Sequence, residues 1–349
     1  SGQDLSDKDL TDTVLRGANL SYTNLENFDF SGRDLTEVNL SGQDLSDKDL
    51  TDTVLRGANL SYTNLGNFDF SGRDLTGMNL SGQDLSSKDL TKTILSAADL
   101  SDTILPYGIL SEKNFVDTKF NGVDLSGKDL SYSNFQYAKF ENTNLEDANL
   151  VGANFIQVDF TKIKNKSLAG ADLSQASFAH SYLPGVDMSG VILEATNFGN
   201  ADLSGQDFTI ASVITDGLTF NGATLSNSNF EGLDLSTKHQ YSKVFKDQAY
   251  LIRDVPQSAE AQNSMRENLF GKQNALSIIS AEVHGNDLVV NYVFFNNFNS
   301  ANLENANFKN ANLNNVNFYQ ANLTNADLSG ADLRNAFLLD ADLSNANLD

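Results

Sequence analysis

Residues 141–160 read ENTNLEDANLVGANFIQVDF, and every fifth residue of this stretch is large and apolar: Leu145, Leu150, Phe155 and Phe160. The same spacing of Leu or Phe runs without exception from Leu5 to Phe160, which makes 32 consecutive repeats. Neither the period of a helix nor the alternation of a strand gives a strict period of five. A chain that turns a corner every five residues closes a square coil in twenty, and stacked coils would lie about 4.8 Å apart.

The position two residues before each Leu or Phe should also face inward, and it should be small. In the C-terminal stretch it is usually Ala, as in Ala301-Asn302-Leu303 and Ala326-Asp327-Leu328. This Ala-(Asp/Asn)-Leu-x-x motif resembles the pentapeptide-repeat family, and the resemblance covers about five-sixths of the chain. It implies an all-β fold, the right-handed parallel quadrilateral β-helix, here with a small α+β insertion.

The register of fives shifts twice and is interrupted once. We predict a β-helix over residues 1–235, with register slips near 161–167 and 219, an inserted segment over 236–297, and a resumed β-helix over 298–349. This interpretation puts Val213 at a central, inward position. We also expect the coil of Leu235 to stack directly on that of Phe298, so that the insertion leaves the stack sideways.

A longer period of forty residues is also present. Residues 1–40 and 41–80 are identical at 37 of 40 positions, and forty residues are two coils, so the copies should stack in phase. In this part of the chain the residue at the second inward position is often large. Along one face Lys and Phe alternate at this position: Lys8, Phe28, Lys48, Phe68 and Lys88. Because an unpaired buried Lys is costly, we expect these stems to lie over the Phe rings, with the ammonium in solvent and the face locally wider.

The insertion is neutral within an acidic chain, with six basic and six acidic residues over 236–297. Apolar spacing predicts a helix over 239–253, and Ser258 is a candidate cap for a second helix that ends at Phe270. Residues 275–284 and 288–295 predict a β-hairpin, although Ile278, Val283, Leu288 and Val293 also keep step with Phe298 as degenerate repeats would. The candidate recognition residues of the insertion are Tyr241, Phe245, Arg253, Arg266, Phe270 and His284.

The sequence gives no support for catalysis. None of the three histidines has a carboxylate or a second histidine at the spacing of metal ligands, and no nucleophile elbow or phosphate-binding glycine loop is present. We therefore expect a non-enzyme without metal or cofactor.

A formal net charge of −23 argues against direct binding of nucleic acid. No apolar run approaches the roughly 20 residues of a transmembrane helix, so membrane insertion is not expected. The basic cluster Lys162–Lys166 is interpreted as a solvated loop rather than a docking site.

Charge placement is the feature that suggests a function. Asp9, Asp29, Asp49, Asp69 and Asp89 are twenty residues apart and should form an acidic ladder. Residues 1–60 carry twelve acids and five bases, roughly one net negative charge per 2 Å of stack, against one per about 1.7 Å in duplex DNA. The family resemblance implies that some members mimic DNA and protect or inhibit DNA gyrase. The alternative is that the acids only keep the strands soluble.

We therefore expect a non-enzymatic protein–protein interaction scaffold, with a secreted bacterial effector as one form of it, and a DNA-mimicking modulator of DNA gyrase or topoisomerase as the second hypothesis. The partner would be a protein, and end-to-end homo-oligomers are a further option. The chain begins within a repeat and without Met, so an upstream segment is expected. Its location would be the cytoplasm or, after secretion, a host cell.

Overall fold

The computed structural model describes residues 2–6, 13–66, 68–108, 110–214, 217–236, 240–245, 276–284, 287–294 and 296–349. The chain forms two compact units, Ser1–Ser177 and Phe178–Asp349. Both consist of right-handed, four-sided β-helix coils, which confirms the fold class. Among the residues that the structure describes, no helix has the length and apolarity that a membrane crossing requires.

The coils of the first unit repeat every twenty residues. A column of parallel bridges shows this directly, since Asn39 pairs with Asn59, Asn59 with Asn79, and Asn79 with Asp99. From Leu15 onward the central Leu or Phe of this unit is buried, and stacked rings fill the later coils, as with Phe135 and Phe155, whose centroids are 4.9 Å apart.

Asp or Asn precedes the central residue because its side chain holds the next corner. Asn39 Oδ1, for example, accepts a hydrogen bond from the backbone N–H of Ser41 at 3.0 Å. The corner itself is closed by the central carbonyl, which accepts the N–H three residues later, as from Ala18 to Leu15 at 2.9 Å. The motif therefore encodes a turn as well as a core position.

The first register slip adds three residues to one coil. The bridged partners Asn149 and Asp172 are 23 residues apart instead of twenty. The additional residues are accommodated by the 3-10 helices Phe160–Lys162 and Lys164–Lys166. Ile163, between the two, is the first central residue of the new register and is 3% exposed.

The second slip lies earlier than the sequence predicts. Val213 is 39% exposed, whereas Leu218 and Phe220 are both buried, so the prediction that Val213 points inward is wrong. The additional residues are taken up after Phe208, by the 3-10 helix Phe208–Ile210 and by strand β2 (Val213–Ile214), which pairs in parallel with β1 (Ile192–Leu193). Local spacing alone does not show that this corner is widened.

The coils on either side of the insertion stack directly on one another, as expected. Thr219 pairs with Asn297 and Asp234 with Asn312, 78 residues apart in each case. The rings of Phe220 and Phe298 stack at 4.8 Å, so the core is continuous across the interruption.

The insertion contains a three-stranded antiparallel sheet with strand order β3-β5-β4, formed by β3 (Gln240–Phe245), β4 (Leu276–His284) and β5 (Asp287–Phe294). Strands β4 and β5 form a hairpin, with a register irregularity between Ile278 and Ser280, and do not continue the coils.

The helix predicted over 239–253 is wrong for residues 240–245, which form β3 and pair with β5 along their whole length. Aromatic and β-branched residues such as Tyr241 and Val244 suit a strand once a partner strand is available, and this pairing outweighs helical spacing. The second predicted helix, Ser258 to Phe270, lies outside the described residues.

Candidate interaction faces

The acidic ladder is built into the corners of the first unit. Asp29, Asp49, Asp69 and Asp89 are exposed. Each accepts a backbone N–H two residues later, from Ser31, Thr51, Ser71 and Thr91, at 2.9, 2.8, 2.9 and 2.7 Å. Hydrogen bonds from the side chain and the backbone N–H of the same Thr or Ser lower the pKa of all four carboxyls, so the ladder is ionised at neutral pH. Asp9 lies outside the described residues.

Successive carboxylates of the ladder influence one another. The charge of Asp29 acts to raise the pKa of Asp49, and Asp69 acts in the same way on Asp89, although hydrogen bonding outweighs this repulsion. The predicted lateral stacking therefore brings like charges into electrostatic contact. The column gives a fixed line of negative charge along one side of the unit.

The face that carries the ladder differs from the other three. We call residues 28–30, 48–50, 68–70 and 88–90 the ladder face. Within the described residues, its coils form no backbone hydrogen bonds to one another, whereas the other faces are bridged, as between Asp34 and Val54 or Asp44 and Asn64. This is the face on which large inward residues predict a wider coil.

Basic side chains take the place of the missing backbone bonds. Lys48 donates to the carbonyl oxygen of Glu26, and Lys88 donates to that of Gly66. The Nε atoms of Arg33 and Arg73 donate to the carbonyl oxygens of Asp29 and Asp69 at 2.7 and 2.8 Å. The cations thus satisfy carbonyls that a regular β-helix would pair with amides.

The expectation that the lysine ammonium reaches solvent is wrong. The side chain of Lys48 is only 10% exposed, because the main-chain carbonyl of Glu26 holds its ammonium, with Asp47 Oδ1 3.5 Å away. The Phe rings are covered instead by guanidinium groups, with Arg33 at 4.8 Å from the Phe28 centroid and Arg73 at 4.5 Å from that of Phe68. Lys8 lies outside the described residues.

Polar inward side chains on the other faces also donate hydrogen bonds to main-chain carbonyls. Gln43 Nε2 donates to the carbonyls of Leu20 and Thr23 at 2.7 and 3.0 Å, and Thr93 Oγ1 donates to that of Phe70 at 2.9 Å. Inward Gln and Lys therefore bond to the preceding coil, and inward Thr bonds either to that coil or, as Thr53 does to Leu50 at 2.7 Å, to its own, which explains why the first unit tolerates residues larger than Ala.

The candidate residues of the insertion are only partly placed. Tyr241 and Phe245 lie in β3, opposite Tyr292 and Leu288 of β5, and His284 ends β4 opposite Asp287. Phe245 and His284 therefore lie at the same end of the sheet. Arg253, Arg266 and Phe270 lie outside the described residues.

Asn296 is a structural residue that the sequence analysis missed. Its Nδ2 donates to the carbonyl of Leu235 at 2.9 Å, and its Oδ1 accepts the N–H of Leu218 at 2.9 Å. It is 2% exposed and joins the two chain segments at the point where the insertion returns to the stack. The signal was present, because Asn occupies the inward position before Phe298 where later repeats carry mainly Ala.

The basic cluster borders a notch at the first register slip. Lys162 contributes to a notch of about 230 Å³ together with Asn121, Lys139, Glu141 and Asp159. Lys162 Nζ lies 3.7 Å from Asp159, and both side chains are largely exposed. In the part of the chain that is described, no group of three or more His, Asp or Glu residues is placed to hold a metal ion.

A family model for pentapeptide repeats matches residues 1–32, 34–72, 74–106, 129–164, 167–209, 297–330 and 321–349, with eight copies. The chain belongs to the pentapeptide-repeat family. Proteins of this family are generally structural or interaction proteins without catalytic activity. No curated protein matches this pentapeptide-repeat chain at a significant level.

Solved structures of pentapeptide-repeat proteins are similar to this one. HetL, involved in heterocyst differentiation regulation in the cyanobacterium Nostoc sp. strain PCC 7120, is 20% identical, with 91% of this chain and 90% of HetL covered and a TM-score of 0.24. QnrB1, a plasmid-mediated fluoroquinolone resistance protein, is 20% identical, with 63% and 85% covered and a TM-score of 0.21. A thylakoid-lumen protein of Arabidopsis thaliana is 21% identical, with 54% and 77% covered and a TM-score of 0.08.

Proposed function

We propose that this pentapeptide-repeat protein is a non-enzymatic scaffold that binds a protein partner through the ladder face. The observation that carries the proposal is the column of four exposed aspartates, each held at its corner by a backbone N–H. A partner with a basic surface would meet charges that are already in position. Binding would then cost little ordering of the scaffold.

The geometry of each carboxylate supports this role. One oxygen, Oδ1, accepts the N–H of the corner, as Asp89 Oδ1 does from Thr91 at 2.7 Å. The second oxygen projects from an exposed side chain and is a suitable acceptor for Lys or Arg of a partner. Because the four carboxylates form one column, a partner can align several cations with it.

A second candidate function is DNA mimicry, in which the chain modulates DNA gyrase or another topoisomerase. The ladder supports it, since regularly spaced negative charge is what a DNA-binding protein recognises on the phosphate backbone. Secretion as a bacterial effector would be compatible with either role, and rests on fold-level analogy alone.

Changing Asp29, Asp49, Asp69 and Asp89 together to Asn tests both functions. Asn keeps an oxygen for the corner N–H, so the coils should fold while the ladder loses its charge. The matched control changes Asp187, Asp234, Asp327 and Asp342 of the second unit to Asn, which alters the net charge equally. Each of these also accepts a corner N–H, as Asp187 does from Ser189 at 2.8 Å.

Partners captured from lysate by the wild-type chain are identified, purified and titrated against the three proteins. We expect the ladder variant to bind at least about tenfold more weakly, equivalent to about 1.4 kcal/mol, and the control to bind normally. Equal loss in both variants, or none in either, would reject the ladder face. Gyrase supercoiling that the wild-type chain leaves unchanged at micromolar concentration would reject DNA mimicry.

A further inference from the structure

An apolar patch lies on the surface of the first unit, between acidic positions of the coils before and after it. Ile104 pairs in parallel with Asp84 and so occupies the outward position that carries Asp in the preceding coil. Twenty residues later the sequence again has Asp, at Asp124. Ile104 is 58% exposed, and Tyr107 at the next corner is 81% exposed. We call Ile104 and Tyr107 the Ile–Tyr patch.

The following coil holds this patch in place. Lys128 Nζ donates to the carbonyl oxygens of Leu105 and Pro106 at 3.2 and 3.4 Å. The same ammonium lies 5.5 Å from the centroid of the Tyr107 ring, within the range of a cation–π contact. Pro106 is buried, and Gly108 turns the chain with a φ of +94°. The tyrosine is therefore displayed from a corner that Lys128 holds to the following coil.

Carboxylates surround the patch. Asp84 and Asp124 are exposed, and each is fixed by the N–H of the serine two residues later, at 3.0 and 3.1 Å. Asp102, also exposed, leans over Gly122 in the following coil, where a Cβ atom would lie 2.2 Å from its Oδ1. Lys128, the basic residue at the patch, has its ammonium engaged with main-chain carbonyls. An apolar centre with a negative rim results.

We propose that the Ile–Tyr patch binds an aromatic or aliphatic side chain from a protein segment that carries Lys or Arg on both sides of that side chain. The inference rests on the proposed scaffold function and specifies the chemistry of the partner. Exposed apolar residues that bind a partner side chain supply affinity, while charged residues at the rim steer association and select the partner. The negative rim disfavours an anionic lipid surface, and complementary charge favours a basic segment.

Two labelled peptides, Gly-Lys-Arg-Phe-Arg-Lys-Gly and Gly-Lys-Arg-Ala-Arg-Lys-Gly, are the probes, and fluorescence anisotropy with the full chain measures their affinity. We expect the Phe peptide to bind about tenfold more tightly than the Ala peptide, because one aromatic side chain is buried in one complex only. Equal affinities for the wild-type chain would overturn the proposal.

Ile104→Asp is the most informative variant, because it restores the residue type found at Asp84 and Asp124 and so should fold. It adds negative charge, so electrostatics alone predicts tighter binding of both peptides. The patch predicts instead that the preference for Phe disappears. Tyr107→Ala should also remove it, while Tyr22→Ala, at a corner residue that is 82% exposed elsewhere in the unit, should leave it intact. A preference that survives in the Ile104→Asp, Tyr107→Ala double variant rejects the patch.

The ladder variant separates this proposal from the scaffold proposal. If both peptides bind equally to the wild-type chain and both lose affinity in the ladder variant, the patch is wrong and the scaffold role stands. If the Phe preference persists in the ladder variant and disappears in Ile104→Asp, the patch is right and recognition does not depend on the ladder.

Discussion

At the residue scale, a main-chain carbonyl oxygen within reach decides which polar side chains the inward position accepts. Leu20 O, for example, accepts the corner N–H of Thr23 at 3.3 Å and also Gln43 Nε2 of the next coil at 2.7 Å. A polar inward residue is thus stable when it reaches such an oxygen. The sequence showed that these residues are large, but the acceptors of Gln43 and Lys48 lie on the preceding coil, so they could not be identified from neighbouring positions.

Lys48→Met tests this account. The change keeps the length of the stem and removes the ammonium that bonds to the carbonyl of Glu26. We expect the free energy of unfolding in urea to fall by about 1 kcal/mol, the usual net contribution of one hydrogen bond. Lys139→Met is the control, because Lys139 is exposed and should change stability by less than about 0.5 kcal/mol. Similar losses in both variants would contradict the role given to Lys48.

The ladder carboxyls also predict a dependence of stability on pH. Hydrogen bonds from Thr51 and Thr91 lower the pKa of Asp49 and Asp89 in the folded chain. Their stabilising contribution is therefore complete above the unfolded pKa of about 3.9, and it is lost as the pH falls through the lowered folded values. We expect the thermal midpoint of the wild-type chain to drop below about pH 4, and that of the ladder Asn variant to drop less. A larger drop in the variant would show that the hydrogen bonds do not stabilise the charged form.

At the scale of the element, the repeating unit of the first 80 residues is a pair of coils. Large and smaller inward residues alternate from coil to coil, as Arg33, Thr53 and Arg73 do on one face. On the ladder face Phe28 and Phe68 alternate with Lys48 and Lys88, whose ammonium groups bond to the coil before. A bulky inward residue such as Phe28 or Arg33 therefore never lies directly against a residue of the same type in the next coil. A duplication of forty residues, which is two coils, preserves this alternation.

Two deletions distinguish a pair of coils from a single coil. Deleting residues 41–80 places Gln83, Lys88 and Thr93 where Gln43, Lys48 and Thr53 lie in the wild type. The inward contacts are thus kept in kind, except that Val38 takes the place of Met78. Deleting residues 41–60 brings Phe28 against Phe68 and Arg33 against Arg73. We expect the first protein to melt within a few degrees of the wild type, and the second to lose about 1–3 kcal/mol for each overpacked contact. Equal stability of the two deletions would show that coils stack without regard to this alternation.

In the insertion, local sequence patterns predict the hairpin of β4 and β5 but not strand β3. The sequences of β4 and β5 are two apolar stretches separated by Gly285-Asn286-Asp287, which indicates a hairpin. Residues 240–245 carry a helical spacing, yet they form β3, because β5 offers an edge from Gln240 to Phe245. The partner strand lies far along the chain, and local spacing carries no information about it, so the helix was predicted from residues 239–253 alone.

At the scale of the whole chain, the period of five predicted both the core and the stacking across the insertion. Leu235 and Phe298 are 63 positions apart in the printed sequence, and their coils are bonded, with the N–H of Leu235 donating to Asn312 at 2.8 Å. The candidate sites were less predictable. The ladder follows from a spacing of twenty, whereas the Ile–Tyr patch depends on the exposure of Ile104 and Tyr107 and on Lys128 from the following coil.

Replacing residues 237–295 with a short Gly-Ser linker tests whether the insertion or the repeat faces recognise the partner. The linker variant retains Asn296, whose amide bonds to Leu235 and Leu218. Since the coils before and after the insertion are already paired, as Thr219 is with Asn297, the second unit should keep its β signal and its melting temperature within a few degrees. Asn296→Ala in the same background should lower the stability by about 1–3 kcal/mol, because two buried backbone groups lose their partner.

A scaffold that binds through the ladder face retains its partner in the linker variant and loses it in the ladder variant. The reverse result would assign recognition to the insertion, and collapse of the second unit would show that the insertion is required for the stack.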